Sequence, residues 1–475
     1  MIRHLLPISR RRLLQAGAGA AAVGCLPASR LLAAPVRDYH LTLAPGTIQL
    51  ADAPFPKTAV WAINEQVPGP LLRCRKGETL RVAVRNNLVQ PTTMHWHGLR
   101  IANDMDGVPL LTQAPIMPGQ TFQYEFTPPD AGTYWYHSHV NTAEQIGRGI
   151  YGVLIVDEED PPRVDRDEVW VLDDWRLDNA AQIVDDFDNH RDFSRAGRLG
   201  NTITVNSRIS ADFPVRSNER IRLRLVNAAN ARIFALRFRD HDPWIVAHDG
   251  QPVKPYRPEG GVVQIASAQR VDLILDLTGA PGSRSPVIDT FNPQAPFRLR
   301  DLVYGESPMR LEPLDTPIAL PENAYSPIDL ANAKHYDVVL DGGDLGDLNR
   351  AELRGQIAGM AQLVMMGKMW AINGIVGYRM NMPPQFDFRR GETGVLKFIN
   401  HSAWPHPMHL HGHHFEVISH SGDARRVGRR LDTVLLGPGE QASVAFVADN
   451  PGDWLFHCHI VTHAEAGMTA VVKVA

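Results

Sequence analysis

The chain is poor in cysteine, with only Cys25, Cys74 and Cys458 among 475 residues. Cys25 falls in an N-terminal leading segment and Cys458 stands between two histidines. Cys74 is therefore left without a partner, and no structural disulfide is expected. It reads instead as a small buried apolar residue. Charge excess is lacking too: 48 Lys and Arg stand against 52 Asp and Glu, a formal net charge of −4, which speaks against a nucleic-acid partner. There is no membrane-spanning run, because the Ala/Gly-rich stretch ending at Leu26 is too short to cross a bilayer. No long helical periodicity dominates, which argues against an all-helical architecture.

Residues 1–34 carry five arginines and no acid. Ser9-Arg10-Arg11-Arg12-Leu13-Leu14, followed by that apolar stretch, resembles a twin-arginine signal, an address for proteins exported already folded. The other reading is an ordinary secretion signal with a chance arginine cluster. Val23-Gly24-Cys25 also resembles a lipoprotein cleavage site. A periplasmic location is expected. Without the segment the formal charge falls to −9, a surface that mildly favours cationic over anionic substrates.

What the chain does have is repetition. Short β-rich runs bounded by Gly, Pro, Asn and Asp recur, the pattern of β-sandwiches. Glu78–Asn86, Glu219–Asn227 and Glu392–Asn400 resemble one another, and Trp61-Ala62-Ile63-Asn64 is echoed by Trp370-Ala371-Ile372-Asn373 and by Ile203-Thr204-Val205-Asn206. Nine and eleven residues past Asn86 stand His95 and His97; the same offsets from Asn400 give His409 and His411, but from Asn227 they give Leu236 and Phe238. His137 follows Gly119 by eighteen residues, as His457 follows Gly439. The spacing predicts three sandwiches, 35–160, 161–310 and 335–475, with a proline-rich linker over 311–334. Only the first and third carry metal ligands. A helix is predicted between Glu352 and Met369, containing Met360, Met365, Met366 and Met369.

Twenty histidines scattered at random would give fewer than about one His-x-His pair, but five occur: 95/97, 137/139, 409/411, 411/413 and 457/459. In a strand each pair presents two imidazoles on one face. In His457-Cys458-His459 the cysteine faces the other way. One thiolate, two imidazoles and a thioether make a blue-copper electron-transfer site, and Cys458, His463 and Met468 supply three of those four. The flanking histidines are left facing a second metal site.

Four motifs in order, His95-Trp96-His97-Gly98, His137-Ser138-His139, His406-Pro407-Met408-His409-Leu410-His411 and the segment from His457 to Met468, resemble those of three-domain multicopper oxidases, the laccase-like family. Within it the chain looks most similar to bacterial enzymes of the manganese-oxidation type. The resemblance implies an all-β chain of three consecutive cupredoxin-like Greek-key sandwiches holding four coppers. By it, His406, Cys458 and His463 hold a type 1 copper with Met468 axial, and His95 and His409 hold a type 2 copper. One type 3 copper takes His97, His137 and His459, and the other takes His139, His411 and His457. His463 is then the exposed ligand that accepts single electrons, Cys458 passes them to its neighbours, and dioxygen is reduced to water. The axial thioether implies a moderate potential.

Asp106 stands where the family places a carboxylate near the type 2 copper; its plainer reading is a turn residue before Gly107. His463, Cys458 and Asp106 are the candidate catalytic residues. Many bacterial relatives have an acid directly after the type 1 histidine. Here that position is Ala464, and Glu465 follows one place later, which puts the second proton route in doubt. The methionine segment suits either core packing or guidance of Cu(I). His401, His413 and His414 fall outside the ligand set and read as packing or surface residues. The expected partners are dioxygen and a small reducing substrate, a phenol, an aromatic amine or a metal ion such as Cu(I) or Mn(II), acting on a monomer. The alternative is a non-catalytic cupredoxin-fold protein of copper handling or envelope assembly; such relatives usually lose ligands.

Overall fold

The computed structural model describes residues 35–475 apart from 210 and 318; the predicted export signal and Cys25 lie outside the described residues. The chain is built almost entirely of strands, arranged as three cupredoxin-like sandwiches. In the first, strands Val36–Ile48, Thr58–Ile63, Thr79–Asn86 and Thr121–Phe126 form one sheet. It faces a second made of Gly69–Arg75, His95–His97, Gly132–His137 and Tyr151–Asp157. The next two sandwiches each pair a six-stranded with a five-stranded sheet. Every sandwich has its own apolar core, with Leu80, Val82 and Tyr136 in the first, Leu223, Leu273 and Phe234 in the second, and Leu396, Phe398 and Phe456 in the third.

The repeat seen in the sequence is a repeat of hydrogen bonds. Asn86, Asn227 and Asn400 are buried, and each side chain braces the loop that follows it. Asn86 Nδ2 donates to Gln90 O and Ile116 O, Asn227 Nδ2 to Arg232 O and Ile265 O, and Asn400 Nδ2 to Trp404 O and Gly437 O, all at 2.8–3.0 Å. Each Oδ1 accepts the backbone N–H two residues on. Asn64, Asn206 and Asn373 share a left-handed backbone, φ 51–52°, which asparagine tolerates better than most residues. These braces fix where the next strand begins. As a result His95 pairs with His137 on neighbouring strands of one sheet of the first sandwich, and His409 with His457 likewise in the third.

The predicted helix from Glu352 to Met369 is a hairpin in its first half and helical only in part of its second. Arg350–Leu353 pairs with Gln356–Gly359, because Arg354 and Gly355 both adopt positive φ, the conformation of a tight two-residue turn. Only Met360–Met365 is helical. Its methionines do not form one core-facing row: Met369 is buried, whereas Met365 is 81% exposed and Met366 is exposed as well. Among the described residues no helix is long and apolar enough to cross a membrane. Cys74 is buried and free, with its thiol pushed up to about 12 by burial.

Candidate metal centre

Strands His406–Leu410 and Gly452–Cys458 lie side by side, with Met408 opposite Cys458. The chain then turns through the helix Val461–Glu465, which carries His463 back toward the cysteine. Cys458 Sγ lies 3.5 Å from His406 Nδ1 and 3.8 Å from His463 Nδ1, and the two Nδ1 atoms are 3.2 Å apart. The far nitrogens are tied outward, His406 Nε2 to Ser402 Oγ at 2.7 Å and His463 Nε2 to Arg195 O at 2.5 Å. A carbonyl only accepts, so His463 carries its proton on Nε2 and turns a lone pair toward the thiol. Met468 is buried, and its carbonyl accepts the Cys458 N–H at 3.1 Å. Burial pushes the Cys458 thiol well above its ordinary pKa. A neighbouring cation is what would hold it as a thiolate.

Contrary to the sequence-based expectation, His463 is not exposed: its relative exposure is 0%. The covering groups come from residue 195, far away in the sequence. Trp370 also packs on the ring, with centroids 4.3 Å apart.

The other eight histidines meet between the first and third sandwiches, four from each. Six have one nitrogen fixed from behind: His95 Nδ1 by Asp106 O, His97 Nε2 by Asp432 Oδ1, His137 Nδ1 by Ser138 O, His409 Nδ1 by Asp432 O, His411 Nδ1 by Asp106 Oδ2 and His457 Nδ1 by Cys458 O, at 2.8–3.1 Å. The forward nitrogens of His95, His97, His137 and His409 have no protein partner, nor do His459 Nε2 and both nitrogens of His139. His411 Nε2 and His457 Nε2 face each other at 3.1 Å. Ligand atoms of His139, His411 and His457 lie within 4.8 Å of one another, as do those of His95, His409 and His411 and those of His95, His97 and His137. The rings of His97, His137 and His459 are 5.0–5.7 Å apart.

Leaving a buried polar atom unpaired costs about 1–3 kcal/mol, so this many pointing at one another is unfavourable unless a cation sits among them. Burial and mutual repulsion lower the pKa of His97, His137, His139, His409, His411, His457 and His459, to about 3 for His457. They are therefore neutral, with lone pairs free to bind metal. The residues fit copper, for which imidazole and thiolate are suited donors.

Asp106 is buried and touches two of the histidines, with Oδ2 2.8 Å from His411 Nδ1 and Oδ1 3.2 Å from His95 Nδ1. It is also a turn residue. The next position has to be glycine, since a Cβ on Gly107 (φ +81°) would lie 1.9 Å from Met94 O. Sequence reasoning missed a second carboxylate, Asp432, which meets His97, His409 and the buried Arg270. The only signal for it was one charge in the apolar strand context Leu431-Asp432-Thr433-Val434. Of the three histidines set aside, His413 and His414 are buried and His401 is exposed. Glu465 directs a carboxylate oxygen to the Ala143 N–H at 3.0 Å. It lines a cavity of about 390 Å³ that reaches His139.

Three cupredoxin-like sandwiches that gather one thiol and ten imidazoles into two adjacent clusters define a copper redox protein. Family models described as multicopper oxidase match residues 46–161, 166–284 and 355–475. The chain is 30% identical over 461 residues to the multicopper oxidase MmcO of Mycobacterium tuberculosis, covering 91% of this chain and 86% of that protein. It is 32% identical over 460 residues to Laccase-5 of Trametes villosa, covering 85% and 84%. The crystal structure of a multi-copper oxidase from Pseudomonas thermotolerans matches with a TM-score of 0.82 at 32% identity, covering 93% of this chain and all of that one. The chain belongs to the multicopper oxidase family and is a copper-dependent oxidoreductase.

Proposed function

We propose that the chain is a four-copper oxidase that takes single electrons from a reducing substrate and passes them to dioxygen. In this reading His406, Cys458 and His463, together with Met468, would hold the type 1 copper, and His95 and His409 would hold the type 2 copper. His97, His137 and His459 hold one type 3 copper, and His139, His411 and His457 the other. Bound at these places, copper supplies one-electron acceptance from the donor and four-electron reduction of dioxygen to water. The observation that carries the reading is the set of buried imidazole nitrogens, fixed from behind and unpartnered in front.

The chain's own groups do the rest. Cys458 joins the two clusters covalently through its backbone to His457 and His459. Asp106 orients His411 and His95 and stands ready to hold a proton beside them. Asp432 fixes the tautomers of His97 and His409. The donor is a phenol, an aromatic amine or a metal ion such as Cu(I) or Mn(II); similar proteins bear the names laccase and iron transport multicopper oxidase. The exposed thioethers of Met365 and Met366 suit a cuprous donor. The domains span 35–160, 161–310 and 335–475 with a linker at 311–334, and the chain acts as an exported, periplasmic monomer. Oxygen uptake against a phenol, Cu(I) and Mn(II) tests this: about four one-electron donors should be consumed per dioxygen, without peroxide. Peroxide as the main product would contradict it.

A further inference from the structure

The ring of His463 is sealed by a piece of the second sandwich, and the seal is made in an ordered way. The short helix His190–Ser194 and the residue after it turn four consecutive carbonyls toward the third sandwich. Thr462 Oγ1 donates to Asp192 O at 2.9 Å, Trp370 Nε1 to Phe193 O at 2.6 Å, the Asp344 N–H to Ser194 O at 2.7 Å, and His463 Nε2 to Arg195 O at 2.5 Å. The last carbonyls of a helix have no partner within it. Here the groups around the type 1 position complete them.

On the outer side Arg195 Nε meets Asp344 Oδ2 at 2.7 Å, and both side chains are part-exposed. Behind, the Asp192 carboxylate takes two bonds from Arg176, at 2.7 and 2.9 Å, and Arg198 reaches Asp186 and Val184 O. Nothing about copper binding requires these contacts. Ser402 fixes the other histidine, His406, with a side chain from its own sandwich.

Resting on the type 1 reading, we infer that residues 189–198 are a cover that selects electron donors by whether they need contact with the imidazole edge. Outer-sphere one-electron donors act through the Arg195 carbonyl and the surface beside Asp344. Broad phenols and aromatic amines, which need the imidazole edge itself, are held off until the cover lifts. Asp192, Arg195 and Asp344 are then positioning residues for substrate choice and touch neither copper nor donor ring.

The test uses the copper-loaded full chain, with Asp192→Ala to free the cover from Arg176 and Asp344→Ala to remove only its surface clasp. Two readouts are compared. Hydrogen exchange of the peptide spanning 189–198 reports the cover itself. Anaerobic bleaching of the blue absorption, up to four electrons per four-copper chain, is followed with hexacyanoferrate(II) and with 2,6-dimethoxyphenol. Exchange should rise in at least one variant, and in that variant the phenol rate should rise about tenfold relative to the hexacyanoferrate rate. Faster exchange with an unchanged rate ratio overturns the cover, as does unchanged exchange in both variants. A parent protein without blue absorption would sink the type 1 reading as well. A blue enzyme with an unmoved ratio sinks only the cover.

Discussion

Arg270 Nη2 lies 2.6 Å from Asp432 Oδ2, with both side chains wholly buried and 162 residues apart in sequence. The pair stands where all three sandwiches meet, since Arg270 Nε also donates to Thr133 O of the first. Arg270 holds the Asp432 carboxyl far below the usual aspartate range against the cost of burial. The resulting carboxylate then faces His97 and His409. Asp432→Ala would leave the buried Arg270 guanidinium only Asp249, 3.6 Å away, as a carboxylate partner, and breaking such a buried pair costs up to about 3–5 kcal/mol. Thermal or denaturant unfolding of the variant should show a loss of that size, and a loss near zero would contradict the structural role.

Asp106→Ala should leave the blue absorption intact, because Asp106 touches only His95 and His411. Oxygen uptake should fall by about 10–100-fold, the usual effect of removing a group that orients metal ligands. Equal loss of colour and turnover would instead indicate a collapsed fold.

Asn400 and Asn227 make matching braces in the third and second sandwiches. Replacing either with Ala should cost about 1–3 kcal/mol of stability. Only Asn400→Ala should also perturb the visible spectrum, since its loop leads into His406 while the loop after Asn227 leads to Leu236. Spectral change in both variants would count against the division of labour.

Desolvation raises the pKa of Glu465, opposed by the Ala143 N–H and by Lys368. The folded chain therefore keeps a proton that the unfolded chain has released. Stability falls as pH rises from the ordinary glutamate pKa through the raised one. Glu465→Gln removes that term, so melting scans of the metal-free protein should show the variant gaining on the parent toward neutral pH. A parent that gains instead would reverse the sign.

The three-sandwich repeat and the histidine pairs were legible in the sequence because they are local. An asparagine is followed nine and eleven residues on by the members of a His-x-His pair, at Asn86 and again at Asn400, and a strand's two-residue period does the rest. The burial of His463 was not legible, since its cover is a backbone carbonyl at position 195, which any residue type could supply. Asp432 escaped for a related reason: its meaning depends on Arg270, a partner that no spacing rule connects to it. The methionine segment misled because apolar residues at helical spacing outweighed the Arg354-Gly355 turn. That turn makes a hairpin of the first half.

Copper counted with and without the Cys458 thiol distinguishes a site in which Cys458 holds one copper and its two neighbours the others from a single shared site. The parent should bind about four coppers per chain and absorb strongly in the visible through its Cu(II)–thiolate bond. Cys458→Ser should bind about three, lose the colour, and keep the magnetic resonance signal of a type 2 site. A variant that stays blue, or a fully loaded parent that is colourless, would contradict the account.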